Sequence, residues 1–270
     1  DGGFNTGHGH LRTPNSIGSY GALAAIILQA NQNEQHGGQS IPNFDYAMAP
    51  GVNKSFRKAL NRAIRQYNRF SGNKELTVKI PENLEYGDEK ALKKLKLPAD
   101  IIESANEDVE RQTFQAMEGF IHNLNTMHSR AGAQVPFTSI NFGTDVTPAG
   151  RLVSKCLLEA TEDGLGHGET PIFPISIFKV KEGVNYNPED PNYDLFKKSM
   201  EVSAKRLFPN FVFIDAPFNL KDYKPGDYRT EIATMGCRTR VFGSIFPESN
   251  GIATGRGNLS FTTINLVRLG

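Results

Sequence analysis

The sequence has no tryptophan, two cysteines in 270 residues, and no excess of either charge, with 30 Lys and Arg against 29 Asp and Glu for a formal net charge of +1. Each shortage excludes something. Cys156 and Cys237 cannot build a disulfide framework, so an apolar core must hold the fold, and a reducing, cytoplasmic setting is expected. Without a basic excess the phosphate-contact term behind nucleic-acid affinity is missing, so no nucleic-acid polymer is expected as a partner. No apolar run approaches the roughly 20 residues of a membrane span. The longest, Ala22–Leu28, is flanked by polar residues, so no membrane association is expected. The chain opens at Asp1 with neither an initiator Met nor a basic-then-apolar leader, which reads as a piece excised from a longer protein. It holds no internal repeat and no low-complexity tract.

What is present is a 38% hydrophobic fraction with 18 Phe, enough for a substantial core in one large or two ordinary domains. Apolar residues at three-four spacing predict a helix over about Ser16–Asn31 and a second one N-capped by Asn53, with Phe56, Leu60, Ile64 and Tyr67 as its stripe. A third is expected over about Glu110–His128. Thr147-Pro148 is a helix start, an N-cap followed by Pro at the first helical position, with Leu152, Val153, Cys156, Leu157 and Ala160 on one side. A further helix is expected over Tyr193–Leu207. Strands are expected at Val135–Phe142, Ile172–Val180, Phe211–Ile214 and Cys237–Phe242, with a glycine-rich turn at Gly251–Gly257 and a last strand at Leu259–Val267. The Lys-, Glu- and Asp-rich stretch 82–107 shows little periodicity and reads as a charged surface excursion. Strands separated by helices point to an α/β fold with a largely parallel sheet.

Cys156 lies on an apolar helix stripe, where a free thiol behaves as a small buried hydrophobe. Cys237, in Met235-Gly236-Cys237-Arg238, follows a glycine and precedes cations that favour thiolate; an incidental loop cysteine is the other reading. His8 and His10 alternate in an extended stretch, but two ligands do not close a zinc site and no metal is expected here. Gly7-His8-Gly9 and Gly255-Arg256-Gly257 match neither a P-loop nor a dinucleotide fingerprint. The run Gln32–Ser40 is dense in uncharged hydrogen-bonding side chains, suited to reading nucleotide edges and hydroxyls, or else to solvating a helix end. Ser139 and Asn141 alternate onto one strand face, with Thr138, Ile140 and Phe142 on the other.

Taken together, these segments resemble the catalytic subunit of the anaerobic (class III) ribonucleoside-triphosphate reductases, a glycyl radical family. The carriers are Gly3-Phe4 through Pro14-Asn15-Ser16-Ile17, Gln35-His36-Gly37-Gly38, His128-Ser129 with Pro136-Phe137, and Asp190-Pro191-Asn192-Tyr193-Asp194. They continue with Ala204-Lys205-Arg206 and Pro209, Met235-Gly236-Cys237-Arg238, and Gly255-Arg256-Gly257-Asn258-Leu259 leading to Asn265-Leu266. The interval of 21 residues from Cys237 to Asn258 is the one expected of the family.

The resemblance implies that residues 1–270 are an incomplete catalytic barrel domain, part of a ten-stranded α/β barrel of the glycyl radical enzyme and ribonucleotide reductase type. A finger loop would carry Cys237 as the thiyl that abstracts the ribose 3′-hydrogen. Asn258 would be the active-site asparagine, and the loop holding Arg130 and Gln134 would link effector to substrate base. Implied outside these residues are a second active-site cysteine, the glycyl radical segment and a structural zinc site, so the piece alone is expected to be inactive. Further implied are a radical-SAM activase with S-adenosylmethionine and an iron–sulfur cluster, formate as reductant, dNTP and ATP effectors, and a homodimer. Two other readings compete: another glycyl radical enzyme, a lyase or dehydratase, and a non-catalytic nucleotide-binding module in which Cys237 is incidental.

Overall fold

The computed structural model describes residues 4–5, 9–35, 37–70, 76–128, 132–236, 239–243, 251–257 and 263–269. A short antiparallel pair, β1 (Phe4–Asn5) and β2 (His10–Leu11), leads into α1 (Ile17–Gln32). Ser16 starts that helix because its hydroxyl accepts from the Ser19 N–H while the Ser19 hydroxyl accepts from the Ser16 N–H, a reciprocal cap on two donors a helix end leaves unpaired. After β3 (Gln39–Ile41) comes α2 (Phe44–Phe70), longer than the helix expected from Asn53. It passes through Pro50, which removes one i to i−4 hydrogen bond, because buried Phe44, Met48, Val52, Phe56 and Leu60 continue one stripe across it. Asn53 caps nothing; its Oδ1 accepts from the Tyr86 N–H at 2.9 Å. At Gly51 a Cβ would lie 2.9 Å from the Tyr20 ring and 3.1 Å from Ile17 Cα, so a glycine lets α1 and α2 cross closely.

The helix expected from Glu110 begins earlier, as α4 (Ala99–Thr126), preceded by α3 (Glu89–Leu95). Within the charged stretch 82–107, Leu84, Leu92, Ile101 and Ala105 are buried, so one side of this segment is core while its Lys and Glu side chains stay in water. Then follow β4 (Thr138–Phe142), α5 (Pro148–Asp163) capped by Thr147, β5 (Ile175–Val180), α6 (Tyr193–Arg206) and β6 (Asn210–Phe213). The chain continues through the antiparallel hairpin β7 (Ala233–Met235) and β8 (Thr239–Val241) to α7 (Leu266–Leu269). The last element corrects the expected strand at Leu259–Val267: Leu266–Leu269 is a helical turn, and 258–262 lie outside the described residues.

Strands β3, β4, β5 and β6 form one parallel sheet in that order, each crossover carrying helices, which is the α/β arrangement expected. Its register places Ser40, Ser139, Asn141, Ile175, Ile177, Lys179 and Val212 on one face, and Ile140, Phe142, Phe178, Val180 and Phe211 on the other. The second face meets α6 through Phe196, whose ring packs on Phe178 and Phe211 at 6.1 Å from each. The first face receives the β7–β8 hairpin. Two of the segments that carried the resemblance serve the scaffold: the buried Asn192 amide donates to the Gly143 and Asp145 carbonyls, and Arg206 donates to the Glu162 and Asp163 carbonyls that end α5.

Candidate active site

Met235 pairs with Thr239 in the β7–β8 hairpin, and Gly236, which follows β7, has φ +63°, where a glycine is favoured. Strand β7 has no backbone partner in the parallel sheet. Side chains of β3 and β4 hold it instead. Asn141 Oδ1 accepts from the Thr234 N–H and its Nδ2 donates to the Thr234 carbonyl, both at 2.9 Å, while the Ser40 hydroxyl donates to the same carbonyl at 2.8 Å. The Gly236 N–H donates to Ser139 Oγ at 3.0 Å. Phe137 lies over the turn, since a Cβ added to Gly236 would be 3.3 Å, and one added to Gly38 2.7 Å, from its ring.

The approach to the hairpin is anchored by charge. Glu231, 1% exposed, accepts from Lys179 at 3.3 Å, Lys181 at 2.8 Å and the Thr144 hydroxyl at 3.0 Å. Lys179 also donates to Asn43 Oδ1 at 2.6 Å. Burial opposes the Glu231 carboxylate, yet the Lys179 charge and the hydrogen bonds from Lys181 and Thr144 hold it below the usual carboxylate range. Burial also lowers Lys181, but Glu231 and the Tyr223 hydroxyl outweigh it and keep that ammonium protonated.

Beside this cluster Asp45 is fully buried, with Oδ2 accepting from the Gly143 N–H at 2.7 Å and the Asp145 N–H at 3.1 Å. Burial pushes its carboxyl up to about 6, against the pull of those N–H donors and of Lys179. The folded-state value lies above the unfolded one, so Asp45 contributes stability that is complete below pH 3.8 and lost as the pH rises through about 6. The unfolding free energy of the wild-type chain, measured relative to Asp45→Asn, is therefore expected to fall by about 2 kcal/mol between pH 4 and pH 7. Urea titrations of both chains across that range check it; a difference that stays flat or grows with pH contradicts it.

Between α1, β3 and the hairpin lies a cavity of about 460 Å³, closed on one side by Ala253–Arg256. Leu23, Ile27, Met235 and Val241 make it apolar, and Asn31, Gln35, Ser40 and Arg256 add polar groups. A Cβ on Gly257 would be 3.8 Å from the Gln35 amide, so the polar run after α1 meets the Gly255-Arg256-Gly257 segment. Other amides of that run serve the scaffold: Gln39 donates to the Leu28 carbonyl and Gln32 to the Val135 carbonyl. Arg256 ties its segment to the hairpin's end through the Phe242 carbonyl and also donates to the Ile252 carbonyl within its own segment.

Cys237, Asn258 and Arg130 lie outside the described residues, as does His8. Their flanks are described: Met235 and Val241 on either side of Cys237, and Gly255 and Arg256 ahead of Asn258, line the one cavity. Gln134 is exposed, and so is His10. Cys156 is buried on α5, its thiol pushed up to about 12 by that burial. Among the described residues no group of three or more His, Cys, Asp or Glu stands together to hold a metal ion. Nor is any described helix long and apolar enough to cross a membrane. Sequence reasoning missed Asp45, Lys179 and Glu231. Only Lys179 left a signal, as a lone charge inside the apolar strand Ile175–Val180.

A family model described as anaerobic ribonucleoside-triphosphate reductase matches residues 1–270. Among curated proteins, the anaerobic ribonucleoside-triphosphate reductase of Enterobacteria phage T4 is 30% identical over 271 residues, covering 99% of this chain and 38% of that protein. The reductase of the same name from Haemophilus influenzae is 29% identical over 268 residues, covering 99% of this chain and 32% of that protein. The chain thus spans about a third of the length of the curated relatives it matches. A crystal structure of the anaerobic ribonucleotide reductase from Thermotoga maritima in complex with dATP and CTP aligns over 80% of this chain and 31% of that one, at TM-score 0.44 and 11% identity.

Proposed function

The chain belongs to the anaerobic ribonucleoside-triphosphate reductase family, and we propose that it is the part of such an enzyme's catalytic barrel that brings Cys237 and Asn258 to the ribose of a ribonucleoside triphosphate. The observation that carries this reading is the cavity shared by the residues flanking Cys237 and those leading to Asn258.

In the proposed reaction Cys237 acts as a thiyl. The S–H and ribose C3′–H bonds are close in strength, so hydrogen transfer from C3′ to sulfur is nearly thermoneutral and reversible. The C3′ radical loosens the adjacent C2′–O bond, and the protonated 2′-hydroxyl departs as water. Asn258, whose amide both donates and accepts, holds the 2′ and 3′ oxygens without adding net charge. Reduction at C2′ takes two electrons, which the oxidation of formate to CO2 supplies, and Cys237 returns its hydrogen to C3′. The glycyl radical implied for the family, installed by an activase that uses S-adenosylmethionine and an iron–sulfur cluster, supplies the oxidising equivalent that makes the thiyl. The loop with Arg130 and Gln134 is proposed to answer to dNTP or ATP effectors in a cytoplasmic homodimer.

Isotopic substrate tests the reading. With the activated, intact reductase carrying this segment, each 3′-deuterated ribonucleoside triphosphate that is a substrate is expected to turn over more slowly than its unlabelled form. The product should retain deuterium at C3′. Equal rates together with solvent hydrogen at C3′ in every product molecule would overturn it.

A further inference from the structure

We propose that Asn141, helped by Ser139 and Ser40, sets the position from which Cys237 acts, so that these three are positioning residues for the hydrogen-abstraction step. This rests on the role given to Cys237 above.

A strand normally takes its place in a sheet from a ladder of backbone hydrogen bonds. Among the described residues, strand β7 has that ladder only with β8, its partner in the hairpin. Where a neighbouring strand would have paired with Thr234, the Asn141 side chain does so, accepting from its N–H and donating to its carbonyl. A primary amide carries the same donor and acceptor as a peptide group, so one side chain satisfies both backbone groups of a residue that is 7% exposed. Asn141 Nδ2 also lies 3.1 Å from Ser40 Oγ, which donates to the same Thr234 carbonyl, so β3 and β4 grip a single point on the hairpin.

Two residues further on, Ser139 receives the Gly236 N–H, and Gly236 is joined directly to Cys237. Ser139 and Asn141 are both 0% exposed, so neither hydrogen bond competes with water. Their neighbours on the same sheet face, Ile175 and Ile177, are apolar, as an interior face needs nothing else for burial. The polar pair stands where the hairpin docks. Hydrogen transfer is steep in distance, and a misplacement of about 1 Å in a reacting group costs on the order of a hundredfold in rate.

The test uses the intact, activated reductase with Asn141→Ala, Asn141→Asp and Ser139→Ala. Asn141→Ala is expected to lower kcat by about ten- to a hundredfold, with substrate KM within about twofold of wild type, an unchanged glycyl radical signal by electron paramagnetic resonance, and a larger isotope effect on 3′-deuterated substrate. The larger isotope effect is what a merely structural role would not produce, because loss of folded enzyme leaves the isotope effect alone. In Asn141→Asp a carboxylate faces the Thr234 carbonyl, so activity should be low near neutral pH and recover as the pH falls and the acid regains a donor proton. Ser139→Ala, a smaller change, should move kcat and the isotope effect in the same direction by severalfold. It carries the test if Asn141→Ala does not accumulate.

Wild-type kcat in both alanine variants, or a fall in kcat that only tracks lost radical signal at constant isotope effect, overturns the inference. Cys237→Ser separates the two levels. If that variant still reduces nucleotides, the reading of Cys237 has failed; if it is dead while Asn141→Ala and Ser139→Ala behave as wild type, the positioning inference alone has failed.

Discussion

Cys237→Ser in the intact reductase is expected to lose all measurable nucleotide reduction while the activase still generates the glycyl radical signal. Serine keeps the size and a hydroxyl donor, so the hairpin should dock as before. What changes is bond strength: the serine O–H bond is too strong for a carbon-centred radical to break, so no oxygen radical forms to take the C3′ hydrogen. The control is the other cysteine. Cys156 is 3% exposed among the apolar residues of α5, with its sulfur 4.0 Å from the Glu110 carbonyl and its thiol pushed up to about 12, so it is held as a neutral packing residue. Cys156→Ala is therefore expected to keep kcat and to lose on the order of 1 kcal/mol of stability, the scale for a small buried truncation. Chromatographic detection of deoxynucleotide product alongside radical quantitation checks both variants. Turnover in Cys237→Ser, or loss of turnover in Cys156→Ala at full radical content, would contradict the assignment.

Glu231→Ala is expected to destabilise the chain by about 3–5 kcal/mol, the cost of leaving a buried partner charge uncompensated. Lys179 is 0% exposed and cannot reach water once the carboxylate is gone, and Thr144 loses its acceptor as well. Lys181, at 18% exposed, can turn outward and keep its contact with the Tyr223 hydroxyl. Hence replacing the fully buried pair together, as Lys179→Met with Glu231→Leu, should recover most of the loss, because removing both ions removes both desolvation penalties. Urea unfolding at constant slope measures each variant. A Glu231→Ala shift below about 1 kcal/mol, the range of exposed pairs, would mean that the cluster is hydrated. Glu231 lies two residues before β7, so its anchoring and the Asn141 clamp act on the same short stretch from opposite ends.

The elements that the sequence determined by itself are those whose signals are local. Thr147-Pro148 marks a helix start through a hydroxyl that bonds within three residues, three-four spacing marks the helix after Ser16, and α1, α5 and α6 begin within a residue of their expected starts. Apolar runs marked β4, β5 and β6. The alternation of Ser139 and Asn141 was legible too, though not what they hold. Tertiary structure decided the rest. Asn53 looked like a helix start, and the charge of 82–107 looked like surface, because each is judged locally against the rule; packing of Phe44, Met48, Leu92 and Ile101 into the common core outweighs both. The three-residue strands β3 and β7 are too short to show a period. Asp45 meets Gly143, Lys179 meets Glu231 and Asn141 meets Thr234 across separations of 98, 52 and 93 residues. Side-chain type states which bonds such groups can make; only the folded backbone determines which partner stands within hydrogen-bond reach.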